Sequence, residues 1–264
     1  MLRRRSARIG LVLLTLIAGV ALFAPWLTHL DPFALTGGPL APPSAQHLMG
    51  TDALGRDVFS GLAWGARTSL FVAISVSTLT MLCGLAVGVM SGYAGGWVDD
   101  LLTGVTALLQ VIPRFFLVIV AVALAGPGLD RLIITLGLTS WPVLARVVRN
   151  DIVALQQMDF VIAAQASGAS RARVIWRSLL PHVMPSATVV IGLLLGQILL
   201  LEASLGFLGL GDPGTMSWGL IAARAHEFTR VAWWLPLFPG LAICLTVVGI
   251  NLLVDAYASS LRHC

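Results

Sequence analysis

Polar and apolar positions along the chain fall into long blocks, not into the short alternations of a soluble fold. Six mostly apolar stretches stand out: residues 9–27, 68–90, 101–125, 129–148, 185–207 and 232–254. Each approaches the roughly 20 residues that a helix needs to cross a bilayer, so the pattern predicts six transmembrane helices. Two stretches are imperfect, since Arg114 interrupts the third and the fourth is charge-free only over 132–145. Arg3, Arg4, Arg5 and Arg8 precede the first stretch, as they would precede either a signal peptide or an anchor. The run is long, and Ala21-Leu22-Phe23-Ala24 followed by Pro25 does not read as a small-x-small cleavage site, which favours a retained anchor.

Six spans place both termini on one side, and arginine counting orients them. With the N-terminus inside, the inner segments hold ten arginines: Arg3, Arg4, Arg5, Arg8, Arg146, Arg149, Arg171, Arg173, Arg177 and Arg262. The outer segments hold five, Arg56, Arg67, Arg131, Arg224 and Arg230, and Arg114 is intramembrane. Both termini are therefore expected in the cytoplasm. Two sizeable outer segments follow, about 28–67 and 209–231, with one large inner loop over 149–184. Asp31-Pro32, Gly37-Gly38-Pro39 and Pro42-Pro43 predict an irregular, surface-lying first outer segment. With no internal repeat or low-complexity tract, the chain reads as a single membrane domain. Residues 1–67 form an N-terminal anchor with its extracytoplasmic segment, and 68–264 form the main transmembrane part.

Composition sharpens this picture. Hydrophobic residues make up 58% of the 264 and charged residues only 11%, against about a quarter charged in a soluble domain. Together with a mean hydropathy of +0.93, this excludes a water-soluble globular fold. All 16 basic residues are arginine, which removes Schiff-base chemistry and the lysine of a phosphate-binding loop. The pI near 9.6 does not point to nucleic acid, because the arginines follow the loops between apolar runs. Cys83, Cys244 and Cys264 are odd in number and fit neither a disulfide framework nor a zinc site.

Enzyme readings fare badly. No GxxxxGK[ST], His-Glu-x-x-His or Cys-x-x-Cys occurs. The five histidines, His29, His47, His182, His226 and His263, are scattered outside the spans. Glu202 is the clear intramembrane carboxylate and has no obvious catalytic partner beside it. No catalytic residue and no metal site is expected.

The inner loop carries the strongest motif. Its run from Phe160 to His182 reads as a short Ala-rich helix, a break at Gly168, and a basic amphipathic helix ended by proline. Small residues let another backbone approach closely, and Gly168 supplies a sharp turn. Such a loop can plug a groove in a cytoplasmic partner, or else lie on anionic lipid.

In these residues the chain resembles the permeases of ATP-binding cassette importers, whose inner loop carries Glu-Ala-Ala, three residues, Gly, then a later Leu-Pro. Ala163, Ala164, Gly168, Leu180 and Pro181 match, Arg171 lies in the basic part, and Ile162 stands where the family's Glu is usual. That departure puts in question one polar contact, to the ATPase or within the loop. Further segments narrow the resemblance to the peptide and nickel branch, in the C-type subunit of dipeptide and oligopeptide importers. Gly50, Thr51, Asp52, Gly55, Arg56 and Asp57 belong to a similar outer signature, continued by Gly65-Ala66-Arg67-Thr68-Ser69-Leu70. The run from Glu202 to Gly211, Ser217-Trp218-Gly219, Phe238-Pro239-Gly240 and Asn251-Leu252-Leu253 also resemble that branch.

The resemblance implies an all-α membrane protein of type I importer permease architecture in a bacterial inner membrane. It would form half of a pathway with a homologous permease, as a heterodimer. Two cytoplasmic ATPases would bind ATP and Mg, an extracytoplasmic binding protein would deliver substrate, and this chain would hold no cofactor of its own. Peptides are the first substrate expected, with nickel, chelated, as the alternative. A self-sufficient secondary transporter should show internal repeats or several intramembrane charges, and neither is visible.

The residues themselves leave three roles open. Gly50 and Gly55 with Asp52, Arg56 and Asp57 predict a tight turn whose charges pair internally, serving as a membrane-surface cap or a docking surface. Glu202 is costly in a membrane and should face protein or water, either bonding to the loop backbone after its span or lining the path. Arg114, just after Pro113, either snorkels to the inner interface or faces the path.

Overall fold

The computed structural model describes residues 5–28 and 30–261. Arg3, Arg4, His29, Arg262, His263 and Cys264 lie outside the described residues. The described chain is almost entirely helical, with two isolated β-bridges. Its helices are α1 (Arg5–Leu27), α2 (Val58–Ala94), α3 (Gly96–Val111), α4 (Arg114–Ala125), α5 (Leu129–Gln156), α6 (Asp159–Ala166), α7 (Arg171–Val174), α8 (Leu180–Phe207), α9 (Trp218–Ala225) and α10 (Trp234–Leu261).

Five of these, with α7 continued into α8, are long and apolar enough to span a membrane, and α3 with α4 forms a sixth, broken segment. The third stretch is thus not one straight helix: its two parts meet at 84°. Proline explains the break. Pro113 has no N–H for a helical bond and its ring collides with the turn before it, so Ile112 takes an extended conformation (φ −84°, ψ 126°). The interruption therefore begins before Arg114, and α4 alone, at 12 residues, reaches only about 18 Å.

Small residues set the packing. Lipid tails are as apolar as leucine, so helices in a membrane associate through close fit. Gly84, Gly88 and Gly92 on α2 lie against Leu144, Val148 and Ile152 on α5, leaving no room for a side chain. Gly10 on α1 likewise sits against the Gly249 carbonyl of α10. Leu136, Leu144, Val148, Ile198, Leu199 and Leu205 form part of the buried interior, whereas Phe71, Leu82, Leu108 and Leu124 remain exposed.

α2, at 37 residues, is about 55 Å long and separates two ends of the bundle. Its first turn meets the irregular stretch 28–57; the outer segment expected to be irregular over 28–67 is helical from Val58 on, because Asp57 caps α2 there by accepting from the Ser60 N–H. At the other end α2 meets α5, where Gln156 Nε2 donates to the Gly92 carbonyl at 2.7 Å. The loop of α6 and α7 follows there directly.

The proline ending expected for the basic helix is not observed. α7 continues through a π-helical turn, Ile175–Leu179, into α8, with Pro181 in the first turn of α8. A π turn carries wider i→i+5 bonds. That geometry absorbs the donor Pro181 lacks, so α7 and the following span form one continuous rod over Arg171–Phe207.

Candidate functional site

At the loop end, α6 is pinned by Val161, fully buried, and the following segment by Val174 and Leu179. Its other face is open: Ala163 and Arg171 are exposed, Ala164 and Leu180 half-buried, and Pro181 exposed. Ser167 and Gly168 N–H groups donate to the Ala163 and Gln165 carbonyls, closing the helix. Gly168 then takes φ +78°, and a Cβ there would meet nothing within 4 Å. The constraint on Gly168 is one of backbone handedness, not of space. Ser170 caps α7 by accepting from the Arg173 N–H.

Phe160 and Trp176 are exposed beside this helix, Phe160 packing on His182 with ring centroids 4.9 Å apart. Ile162, in the position usual for Glu, is 51% exposed. That side chain faces out of the chain and not into its interior.

A polar clasp near this loop was not anticipated from the sequence. Arg149 on α5 donates from Nε and Nη2 to the two carboxylate oxygens of Asp99 on α3, at 2.6 and 2.5 Å. Ser91 on α2 and Thr103 on α3 donate to the same carboxylate. Ser186 on α8 also donates to Asp151 on α5. The signal was available, because Asp99 and Arg149 are opposite charges flanking the inner ends of apolar stretches.

The opposite end holds the outer signature. Gly50 and Gly55 both have positive φ (+75° and +83°), and a Cβ at either would strike a carbonyl, of Ala41 or Gly37. Only glycine allows this turn. The charges do not pair among themselves as expected. Asp52 accepts from the backbone N–H groups of Leu54 and Arg56, while Asp57 caps α2 through Ser60 N–H and binds His47 Nδ1 at 2.9 Å. In so tight a turn, backbone donors lie closer to each aspartate than the flexible Arg56 head does. Arg56 instead lies over the Phe33 ring, 5.4 Å from its centroid, a cation–π contact.

Glu202 is 3% exposed at the junction of α2, α8 and α9. Ser69 on α2 donates to it at 3.0 Å, and Ser217 donates from the cap of α9. Each serine in turn accepts an α9 N–H, Trp218 to Ser69 and Leu220 to Ser217. One carboxylate thus fastens α9 to two spans through serine hydroxyls and not through the loop backbone. Gly219 and Gly206 make the approach possible, since a Cβ at Gly219 would lie 2.6 Å from the Ala203 carbonyl. Arg114, half-buried as the first residue of α4, forms no ion pair with Glu202 among the described residues.

Comparison with known proteins bears on both ends. The family described as binding-protein-dependent transport system inner membrane component matches residues 84–262. The N-terminal transmembrane domain of oligopeptide transport permease C matches residues 1–47. A dipeptide transport system permease protein of Alkalihalophilus pseudofirmus is 35% identical over 98% of this chain and 86% of its own. A nickel transport system permease protein of Escherichia coli (strain K12) is 36% identical over 96% of this chain and 92% of its own. Among solved structures, a chain of the MetNI methionine ABC transporter, in an inward facing conformation, aligns over 75% of this chain and 94% of its own with a TM-score of 0.59. At 20% identity that likeness shows a shared fold.

Proposed function

Because the chain belongs to the binding-protein-dependent transport system inner membrane components, we propose that it forms half of an import pathway for di- or oligopeptides. It is a transmembrane transport subunit of an ATP-driven importer, and separate subunits of such importers hydrolyse ATP. The peptide reading is supported by the match to the oligopeptide permease C domain and by relatives named for peptide transport. Nickel import is the second reading, favoured by one relative of similar identity.

The observation that carries the reading is α6, anchored by buried Val161 yet presenting Ile162 and Ala163 outward at the loop end. In the proposed mechanism two ATPases bind this helix in the cytoplasm, with ATP and Mg held on them. Their closure pushes on α6. Through Gly168, α7 and the π turn, the push passes along the continuous rod into α8, because a packed helix moves as a body and not by bending. Leu180 and Pro181 sit within that rod, in the first turn of α8.

The Asp99–Arg149 clasp holds the broken α3–α4 segment to α2 and α5, and Glu202 holds α9 to the far ends of α2 and α8. Arg114, half-buried at the start of α4, is read as snorkelling to the inner interface. A homologous permease completes the pathway as the other half of a heterodimer in the bacterial inner membrane, and an extracytoplasmic binding protein supplies substrate. This chain binds no cofactor and does no covalent chemistry.

Copurification tests the assembly: gentle extraction of the tagged chain should bring an ATPase and a second permease with it. A chain that purifies alone and transports by itself would overturn the reading. Uptake of labelled dipeptide against nickel in reconstituted vesicles decides the substrate.

A further inference from the structure

An apolar groove runs between α2 and the rod of α7, the π turn and α8, at the end of the bundle that carries α6. It encloses about 550 Å³ between Leu82, Ala86 and Met90 of α2 and Trp176, Pro181 and Met184 of the rod, and no charged side chain lines it. Leu82, Met90 and Trp176 are exposed along it, Trp176 at 72%. From Leu82 to Met90 the helix rises about 12 Å, most of one leaflet's half of a hydrocarbon core about 30 Å thick. The groove therefore opens at the depth of acyl chains. Trp176 stands at its loop end, and tryptophan favours the headgroup boundary.

Arg173 and Arg177 stand beside that end. Arg173 precedes Trp176 by three positions and Arg177 precedes Pro181 by four, spacings that place residues on neighbouring parts of one helix face. Helical side chains lean toward the N-terminus of their helix, so both guanidinium groups reach away from the groove floor and toward the water boundary. Both arginines are exposed, and neither forms an ion pair among the described residues. The acids at this end do not serve them: Asp99 is held by Arg149, Asp151 accepts from Ser186, and Asp159 in the first turn of α6 pairs with neither. An apolar slot and two unpaired cations thus meet at one level of the bundle.

We propose that the groove holds an acyl chain of an anionic phospholipid whose phosphodiester is bridged by Arg173 and Arg177. The lipid belongs to the cytoplasmic leaflet, the side that the arginine distribution assigns to this end. Each part of the ligand meets its complement: the chain covers apolar walls, and the phosphate oxygens accept charge-assisted hydrogen bonds from two guanidinium forks. A basic site beside spans on the cytoplasmic side is the setting in which anionic headgroups are recognised. A protein helix in the groove would bury Trp176 but leave both cations unmet, and a free phosphate would leave the walls bare. The headgroup must be anionic overall, because the ammonium of a zwitterionic lipid offsets the phosphate charge that the two cations share. The proposal requires only that the apolar helices span a bilayer, so it stands apart from the substrate and partner readings above.

The test is quenching of Trp176 by brominated acyl chains, with the full chain in phosphatidylcholine vesicles. The chain has eight tryptophans, so in each background the Trp176 signal is taken as the difference made by Trp176→Phe. Brominated phosphatidylglycerol should quench that signal with an apparent affinity about tenfold above that of brominated phosphatidylcholine. Arg173→Gln together with Arg177→Gln should bring the ratio near one at an unchanged thermal midpoint, and the paired Lys substitutions should keep most of it. Ala86→Phe, which fills the groove and leaves both arginines, should also abolish the preference. Equal quenching by the two lipids would overturn the anion site. A preference that survives Ala86→Phe would reduce it to surface charge and overturn the groove. Loss of the Trp176 quenching when the chain is copurified with partner subunits would assign the groove to a protein contact and overturn the lipid.

Discussion

The α2–α5 contact can be tested by adding a single methyl group. A Cβ built on Gly88 would lie 2.6 Å from Val148 Cβ and 2.7 Å from the Ala145 carbonyl oxygen. Carbon atoms rest at about 3.5 Å or more, so the helices must part locally by roughly 0.9 Å. Neither obstacle can swing aside, since one is backbone and the other is the first atom of a β-branched side chain. Overpacking of this kind costs about 1–3 kcal/mol, and the rigid neighbours argue for the upper half of that range. Against it stands the helix propensity of alanine, about 1 kcal/mol better than glycine. Gly88→Ala should therefore destabilise by about 1–2 kcal/mol net.

The control is Gly104→Ala on α3, where a Cβ meets nothing within 4 Å. Only the propensity gain operates there, so this variant should stabilise by up to about 1 kcal/mol. Reversible unfolding in mixed micelles, with both variants followed by circular dichroism, should separate them by about 2–3 kcal/mol. A Gly88→Ala chain as stable as Gly104→Ala would refute the close α2–α5 packing, and with it the placement of the Asp99–Arg149 clasp beyond that contact.

Three further outcomes are expected. A double-mutant cycle on Asp99→Asn and Arg149→Gln should give a coupling of about 1 kcal/mol or more, above most exposed pairs; a coupling near zero in the same unfolding assay would dissolve the clasp. Gly168→Val should insert normally yet strain the loop by about 1–3 kcal/mol and separate ATP hydrolysis from transport in the assembled complex, whereas Gly168→Asn, which tolerates positive φ, should stay coupled; equal coupling in both would remove Gly168 from the push. Glu202→Leu should cost about 1–3 kcal/mol by stranding the Ser69 and Ser217 hydroxyls, with Glu202→Gln much milder, and limited proteolysis near α9 should report the loosening; a silent Glu202→Leu would refute the fastening role.

The sequence by itself placed the apolar segments, though not the helix limits around them. The bilayer makes this a local property, since a stretch of about 20 apolar residues partitions into lipid by its own composition and its backbone must bond internally. The irregular character of the segment after α1, though not its end, and the turns at Gly50, Gly55 and Gly168 were legible for a similar reason, because glycine and proline act on their own dihedral angles. Even so, two prolines behave against the composition of their segments, in opposite directions. Pro113 broke a segment that composition left whole, and Pro181 failed to break one where a π turn had already changed the bonding pattern.

Tertiary structure decided who meets whom. Asp99 and Arg149 lie 50 positions apart, and Glu202 and Ser69 lie 133 apart. The aspartates of the outer signature found backbone and His47 instead of Arg56, and Arg56 found Phe33 and Arg224. These pairings depend on how each helix is rotated and how closely glycines let it approach its neighbour, and no stretch of sequence encodes that alone. A segment's composition tells it to enter the membrane; only the surrounding helices tell its few polar groups where to turn.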